Sequence, residues 1–519
     1  MGSLDNKLGP VDLSHHINIK SKSRHPSPLK DIIRYMRQDG MISLAGGLPH
    51  PSLFPLERAK FDCLPPLSEP SIESSLASLG LSRDSDSGNL DLTQFLQYGS
   101  GAGNQKLINL ARELTERIHA PPCEHEYLLH PGNTNAWSKV VGLLCEDNDF
   151  VIVDDYTYPS AQALWIPLGI KATPVSADEQ GMSAKGLRKM LESWDESITG
   201  QRRPRLLYLV PVGSNPTGVT ISAQRRRELY AVCVEFDIVI VEDDPYYCLQ
   251  YPKSTPNADN TFQPVSSETF INSLVPSFLS IDTQGRVIRL ESFSKTLFPG
   301  LRLGYFVANS VFTERLLRVT EVETQDPAGL SQAFTLALFD NWGIDGYLKW
   351  LQSLQFQYKT RRDWLISAFN DCFEVVPAKK SPIPDAQGDV ACVREMTSGR
   401  LLPVFSFVEP EAGMFVWSKF YFNGVPRFTE LSNDKSIEDP EQAFATELWE
   451  AMAAKLVLLT PGSYYHAWQG PSKTSTASRG ADPRSAYFRF SFASPSKDQI
   501  EEGVRRVRKV VDQLWGNTA

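Results

Sequence analysis

The stretch Val287-Ile288-Arg289-Leu290-Glu291-Ser292-Phe293-Ser294-Lys295-Thr296 sets an apolar, strand-like run directly ahead of two serines and a lysine. At the end of a buried strand a lysine ammonium is partly desolvated, which lowers its pKa and makes it a usable amine nucleophile. An isolated lysine is ordinarily a solvated surface charge, so the weight falls on its company. Upstream, the β-branched run Ile238-Val239-Ile240-Val241 ends in Glu242-Asp243-Asp244-Pro245-Tyr246-Tyr247. Further upstream, Arg205 to Val212 ends in Gly213-Ser214-Asn215-Pro216-Thr217-Gly218, ahead of a helix-like stretch from Gln224 to Phe236. Three strands therefore finish in polar groups. In an open, mostly parallel sheet the carboxyl ends of the strands share one edge, so the three can meet at one crevice. The fold class this implies is α/β.

The convergent set is an amide (Asn215), a carboxylate (Asp243), a phenol (Tyr246), two hydroxyls (Ser292 and Ser294), an amine (Lys295) and a guanidinium (Arg302). Pyridoxal 5′-phosphate asks for this set: an amine for its aldehyde, a carboxylate for its ring nitrogen, donors to its phenolate oxygen, and hydroxyls with a cation around its phosphate. Gly132-Asn133-Thr134-Asn135 opens a helix predicted over Ala136 to Leu144, and free N–H groups at a helix start suit phosphate. Arg489 stands in the aromatic-rich strand Tyr487-Phe488-Arg489-Phe490-Ser491-Phe492. A guanidinium among apolar neighbours needs an anion, either an internal carboxylate or the planar α-carboxylate of a substrate.

On these residues the chain resembles the fold-type I pyridoxal phosphate aminotransferases of the class I/II group. Within that group it is similar to the fungal aromatic aminotransferases and the kynurenine and 2-aminoadipate aminotransferases. The resemblance runs from about Ser27 to the C-terminal helix. It is carried also by Ile42-Ser43-Leu44-Ala45-Gly46-Gly47-Leu48-Pro49 and Leu96-Gln97-Tyr98-Gly99. It implies a mostly parallel, seven-stranded-type sheet in a large domain with a smaller α+β domain. It also implies a ping-pong transfer of an amino group from an aromatic amino acid to 2-oxoglutarate. By the same resemblance Lys295 carries the cofactor as a Schiff base and moves the Cα proton, and Asp243, rather than Asp244, pairs with the pyridine nitrogen. Tyr246 and Asn215 donate to the phenolate oxygen, and Tyr158 stacks on the ring. Ser292, Ser294, Arg302 and the backbone of Asn133 and Thr134 hold the phosphate, Arg489 and Asn215 meet the substrate, and Gly47 forms part of the pocket wall. Many relatives carry Ser-Gln or similar where this chain has Asn133-Thr134, so the resemblance fixes the amide contacts there but not the side-chain ones. Tyr98 reaches the phosphate of the other subunit, which implies a homodimer. A kynurenine or 2-aminoadipate aminotransferase, and a lyase, decarboxylase or racemase of the same fold, share every one of these cofactor contacts.

Length and composition agree with an enzyme of this kind. With 519 residues, 41% hydrophobic and 22% charged, the chain suits a large domain plus a smaller one. The expected divisions are residues 1–90 (an N-terminal segment and part of the small domain), 91–370 (the large, cofactor-binding domain) and 371–519 (the rest of the small domain). A net charge of −9 argues against a nucleic-acid or anionic-membrane partner. Seven scattered cysteines, an odd number at no metal-ligand spacing, fit a reduced cytoplasm. No apolar run reaches the roughly 20 residues that span a bilayer, and the first 25 residues, with Asp5 and Asp12, do not resemble a signal or transit peptide. His119, Cys123, His125 and His130 straddle Pro121-Pro122 without a paired half, so no metal is expected. Gly99-Ser100-Gly101-Ala102-Gly103 lacks the preceding strand and the spacing of a dinucleotide loop. A transcription regulator built on such a domain would need a helix-turn-helix region, and fewer than about 45 residues precede the first motif.

Between the motifs, Leu29, Ile32, Ile33 and Met36 predict a helix over Pro28 to Met36, and Leu107 to Ile118 a second. A long helical stretch is predicted from Ser331 to Phe369 and an amphipathic helix from Ile500 to Leu514. Ser68 to Asn89, Pro382 to Pro403 and Gln469 to Asp482 are expected to be loops, and residues 253–285, polar and interrupted by prolines, an insertion.

Overall fold

The structure, a computed structural model, describes residues 7–26, 35, 38–42, 44–45, 47–66, 76–84, 90–254, 261–395 and 398–516. The predicted helix over Pro28 to Met36 lies outside these residues except at Tyr35. At the N-terminal side, β1 (Arg58–Cys63), β2 (Ala77–Ser82) and β3 (Leu90–Asp91) form a small sheet. The central sheet has seven strands: β4 (Glu126–His130), β5 (Phe150–Asp154), β6 (Lys171–Val175), β7 (Leu206–Leu209), β8 (Val239–Asp243), β9 (Val287–Ser292) and β10 (Gly304–Ala308). Their spatial order is β4-β10-β9-β8-β7-β5-β6. All neighbours are parallel except β10, which runs antiparallel to both β9 and β4. A six-stranded antiparallel sheet follows, made of β11 (Glu374–Pro377), β12 (Asp389–Arg394), β13 (Leu401–Phe407), β14 (Phe415–Tyr421), β15 (Thr460–Pro461) and β16 (Ser485–Ser491).

The central strands are buried from end to end, as Val239 to Asp243 illustrate, because helices cover both faces and leave no wet side to alternate toward. One face packs Ile152, Leu207, Leu209 and Ile240; the other packs Val151, Val153, Tyr208, Val239, Val241 and Leu290. The predicted helices form as Gln105–His119, Asn133–Leu144, Gly329–Cys372 and Lys497–Leu514. The long helix breaks its geometry at Gly343, whose φ of 63° lies in the left-handed region that glycine tolerates. No helix among the described residues is long and apolar enough to cross a membrane.

Two loop expectations are corrected, and the stretch read as an insertion proves to carry buried structure. Within Ser68 to Asn89, Ala77–Ser82 is a strand, and its Leu79 and Leu81 are buried against Ala333, Leu336 and Ala337 of the long helix. The period-two pattern is hidden in a serine-rich text. Pro382 to Pro403 contains β12 and the start of β13, with Val390 to Val393 buried between neighbouring strands. The second half of the supposed insertion is core: Ser267–Asn272 is a helix, and Phe270, Phe278 and Leu279 are buried.

Residues 7–26 strap across the central layer. Leu13 and Ile17 are buried there, and Asn18 Nδ2 donates to the carbonyls of Gly142 and Cys145 at 2.9 and 2.7 Å. His15 and His16 reach the two oxygens of Asp237 at 2.6 and 3.0 Å, and Arg286 shares that carboxylate at 3.2 Å. Burial pushes His16 down to about 4, against the pull of Asp237 and helped by His15 and Arg205. Between that value and an ordinary histidine pKa near 6.5, the unfolded chain binds the proton and the folded one does not, so stability rises with pH across the window. The contribution is present above about pH 6.5 and is lost as pH falls toward 4, by roughly 2–3 kcal/mol. Thermal melts of wild type and His16→Gln between pH 7 and 4.5 should diverge as the wild type loses stability faster; parallel curves would refute this.

Candidate active site

Parallel pairing of β7, β8 and β9 brings their carboxyl ends to one edge, and alternation decides which acid faces the crevice. Asp243 ends β8 beside Leu290, and Tyr208 of β7 pairs with Val241 two residues earlier, so Tyr208 and Asp243 share a face. Tyr208 Oη donates to Asp243 Oδ2 at 2.8 Å, and Asn133 Nδ2, from the first residue of its helix, donates to Asp243 Oδ1 at 2.6 Å. Burial pushes the Asp243 carboxyl up; the two donors, and Arg289 at longer range, pull it back. Asp244 and Glu242 point to the opposite face. There Arg289 Nη1 lies 2.9 Å from Glu242 and 3.5 Å from Asp244, and its Nε lies 2.5 Å from Glu291. Asp244 therefore belongs to a buried charge cluster behind the sheet.

The lysine follows β9 in a tight turn. Ser292 Oγ accepts the Ser294 N–H at 3.1 Å, and Arg302 Nη1 donates to Ser294 Oγ at 3.2 Å and to the Pro299 carbonyl at 3.1 Å. Behind the turn, Tyr347 Oη donates to Thr296 Oγ1 at 2.8 Å and Trp350 Nε1 to the Thr296 carbonyl at 2.6 Å, which locks its backbone. Lys295 is half-buried, and burial together with the Arg302 charge lowers its pKa. Gly132 precedes the helix that starts at Asn133 and has a φ of 108°; a Cβ there would stand 1.9 Å from Arg302 Nη2. The guanidinium thus lies over a helix start. The N–H groups of Asn133 and Thr134 have no intrahelical acceptor, and together with Arg302, Ser292 and Ser294 they form a cradle for an anion.

Across the crevice, Arg489 of β16 lies over the Phe415 ring at 4.0 Å and 5.1 Å from that of Tyr465. Its Nη1 donates to Asn215 Oδ1 at 2.5 Å and its Nη2 to Thr460 Oγ1 at 3.4 Å. Its Nε has no hydrogen-bond partner, and among the described residues no carboxylate pairs with it, so the internal salt bridge is not formed. Burial lowers its pKa, the mark of a charge short of compensation. Tyr246 meets Phe415 edge-on at 6.0 Å, and its hydroxyl is raised by burial and Asp243 and drawn down by Arg489. Tyr158, half-buried, lies near enough to Tyr246, Tyr465 and Arg489 to act on their charge. The crevice therefore gathers Asn133, Tyr158, Asn215, Asp243, Tyr246, Ser292, Ser294, Lys295, Arg302 and Arg489 from both large sheets.

Two expected residues stand apart. Tyr98 is 62% exposed. Gly47 is exposed as well, and a Cβ on it would meet nothing of this chain within 4 Å. Tyr208, Thr460, Phe415 and Tyr465 escaped the sequence reading. For Tyr208 a signal existed, because a tyrosine inside a fully buried strand needs an acceptor for its hydroxyl.

The family model described as aminotransferase class I and II matches residues 83–507. The chain belongs to the class I and II aminotransferases. An aromatic amino acid aminotransferase of Schizosaccharomyces pombe is 34% identical over 97% of this chain and 98% of its own. An L-tyrosine:2-oxoglutarate aminotransferase of Tapinella panuoides is 35% identical over 83% of this chain and 78% of its own. The crystal structure of the aminotransferase Aro8 from Candida albicans covers 98% of this chain and 100% of its own with a TM-score of 0.84 at 31% identity. An aminotransferase of this class has the fold-type I architecture and works with pyridoxal 5′-phosphate. The residues present fit that group. The cradle beside Gly132 and Arg302 suits its phosphate, Asp243 its ring nitrogen, and Lys295, without a carboxylate partner among the described residues, its aldehyde.

Proposed function

We propose that the protein transfers the amino group of an aromatic L-amino acid to 2-oxoglutarate, giving the aromatic 2-oxo acid and L-glutamate. The observation that carries the reading is Arg489, a guanidinium set between Phe415 and Tyr465 with an unsatisfied Nε and no carboxylate of its own among the described residues. An α-carboxylate supplies the missing planar acceptor, and the rings beside it favour an aromatic side chain. The names of the fungal relatives point the same way.

When bound, pyridoxal phosphate supplies an electron sink for the pair released at the substrate Cα. Lys295 would hold the aldehyde carbon, and its neutral Nζ would take the substrate Cα proton and return it. Its lowered pKa keeps that amine neutral at less cost. Asp243 would pair with the ring nitrogen and keep it cationic. Tyr246 and Asn215 would donate to the phenolate oxygen, and Asn215 also accepts from Arg489 and holds it in place. Tyr158 would lie against the ring, and Ser292, Ser294, Arg302 and the backbone amides of Asn133 and Thr134 would take the phosphate. Tyr98, outward in one chain, belongs in this reading to the partner's site in a homodimer. The exposed Ile42, Leu44, Leu53, Val322 and Leu330 give such a dimer apolar surface to bury.

The test is a donor panel of Phe, Tyr, Trp, kynurenine and 2-aminoadipate with 2-oxoglutarate, measuring glutamate and 2-oxo acid together. An aromatic amino acid should exceed 2-aminoadipate in kcat/KM by about tenfold or more. A preference for 2-aminoadipate or kynurenine overturns the substrate reading, and product without glutamate overturns transamination.

A further inference from the structure

Asp243 is gripped at both oxygens, and we propose that Asn133 and Tyr208 form a positioning pair that fixes the orientation and the charge of this carboxylate for the cofactor's ring nitrogen. The inference rests on the role given to Asp243 above and adds two residues to it.

The grip is made of donors only. Asn133 Nδ2 reaches Oδ1 at 2.6 Å and Tyr208 Oη reaches Oδ2 at 2.8 Å, distances of charge-assisted hydrogen bonds. A carboxylate offers about four acceptor positions, so one further position on each oxygen remains open for a ring N–H. Donors on both oxygens select the ionised form, since the hydroxyl of a neutral acid is a poor acceptor. At 8% exposure Asp243 needs that help.

Both donors are locked. Asn133 spends its second amide hydrogen on the Leu290 carbonyl at 2.9 Å, which also identifies Nδ2 as the atom facing Asp243. Its Oδ1 is then buried without a hydrogen-bond partner, a cost that a residue serving only to start a helix would not carry. The Tyr208 ring lies 4.5 Å from that of Trp137 and 6.4 Å from that of Trp165. Trp137 follows Asn133 by four residues on one helix, so both stand on the same helix face, and one rigid element sets both halves of the grip. The same placement explains why Asn133 turns its side chain away from the phosphate cradle and leaves only its amide there.

The experiment uses the holoenzyme and needs no turnover. Asn133→Ala and Tyr208→Phe, the latter keeping the packed ring, are compared with wild type in two readouts. These are the equilibrium affinity for pyridoxal phosphate and the pH midpoint of the bound cofactor's visible band. Each variant should bind the cofactor about 10-fold more weakly or worse, as loss of a hydrogen bond to a charged group implies. Each should also move the midpoint up: a less anionic Asp243 leaves the ring less cationic, and the lysine-linked nitrogen keeps its proton to higher pH. Added to Asp243→Ala, Asn133→Ala should change neither readout further, because its partner is gone. The proposal is overturned if folded Tyr208→Phe and Asn133→Ala keep both readouts at wild-type values, or if Asn133→Ala has its full effect without Asp243. An Asp243→Ala variant that itself matches wild type would overturn the role of Asp243 as well.

Discussion

Lys295→Ala should fold, take up pyridoxal phosphate weakly and fail to turn over. The general-base role alone accounts for a loss of roughly 10²–10⁴-fold, and the covalent anchor goes with it. No neighbour can stand in: the nearest cation in the turn is Arg302, a guanidinium already committed to Ser294 and the Pro299 carbonyl. Lys139, although buried, donates to Thr320 Oγ1 on the helix layer. Stability should move the other way. A lysine whose pKa is lowered by burial and by Arg302 is a charge the fold tolerates at a cost, so its removal should leave the melting temperature unchanged or raise it. Borohydride treatment followed by denaturation separates the two proteins, with label retained on wild type and released from the variant. Turnover within tenfold of wild type, or label retained on another lysine, would remove Lys295 from the mechanism.

The α/β architecture was legible because buried parallel strands write themselves as β-branched runs, and these runs end abruptly in polar residues at the one edge where ligands bind. Lys295, Asp243, Asn215 and Arg302 could be picked out for that reason. Arg489 could be picked out because a guanidinium in an aromatic strand demands an anion. What escaped has physical causes too. Tyr208 looks like core, since a packed phenol and a hydrogen-bonding one are the same letter, and only the strand register shows that its hydroxyl points at Asp243. The direction of the Asn133 side chain depends on where β8 and β9 pass, which no local pattern records. The strand Ala77–Ser82, β12 and the first residues of β13 read as loops because serine, proline and glycine around them mask short apolar alternations that only their partners bury.

Asp243 and Asp244 are adjacent, both buried, and should respond in opposite ways to substitution. Asp243→Ala removes the anion opposite the ring nitrogen and leaves Asn133 and Tyr208 donating to nothing. Removing one partner of a buried ionic pair costs about 3–5 kcal/mol, which corresponds to a loss of about 10²–10³-fold or more in cofactor affinity and in turnover. Asp243→Asn should recover little despite its shape, because whichever oxygen becomes an NH₂ faces a donor, Asn133 Nδ2 on one side or Tyr208 Oη on the other. Asp244 lies behind the sheet, 3.5 Å from Arg289, and neither of its oxygens accepts a hydrogen bond. Arg289 keeps Glu242 and Glu291 when Asp244 is lost, so no naked charge is created. Asp244→Ala should therefore leave the pH midpoint of the cofactor's visible band in place and act on stability, read as a shift in melting temperature with turnover within about tenfold of wild type. Equal losses of cofactor affinity in the two variants would mean that the face of β8, rather than its sequence neighbour, has been assigned wrongly, and the position of the ring would have to be argued again from Arg302 outward.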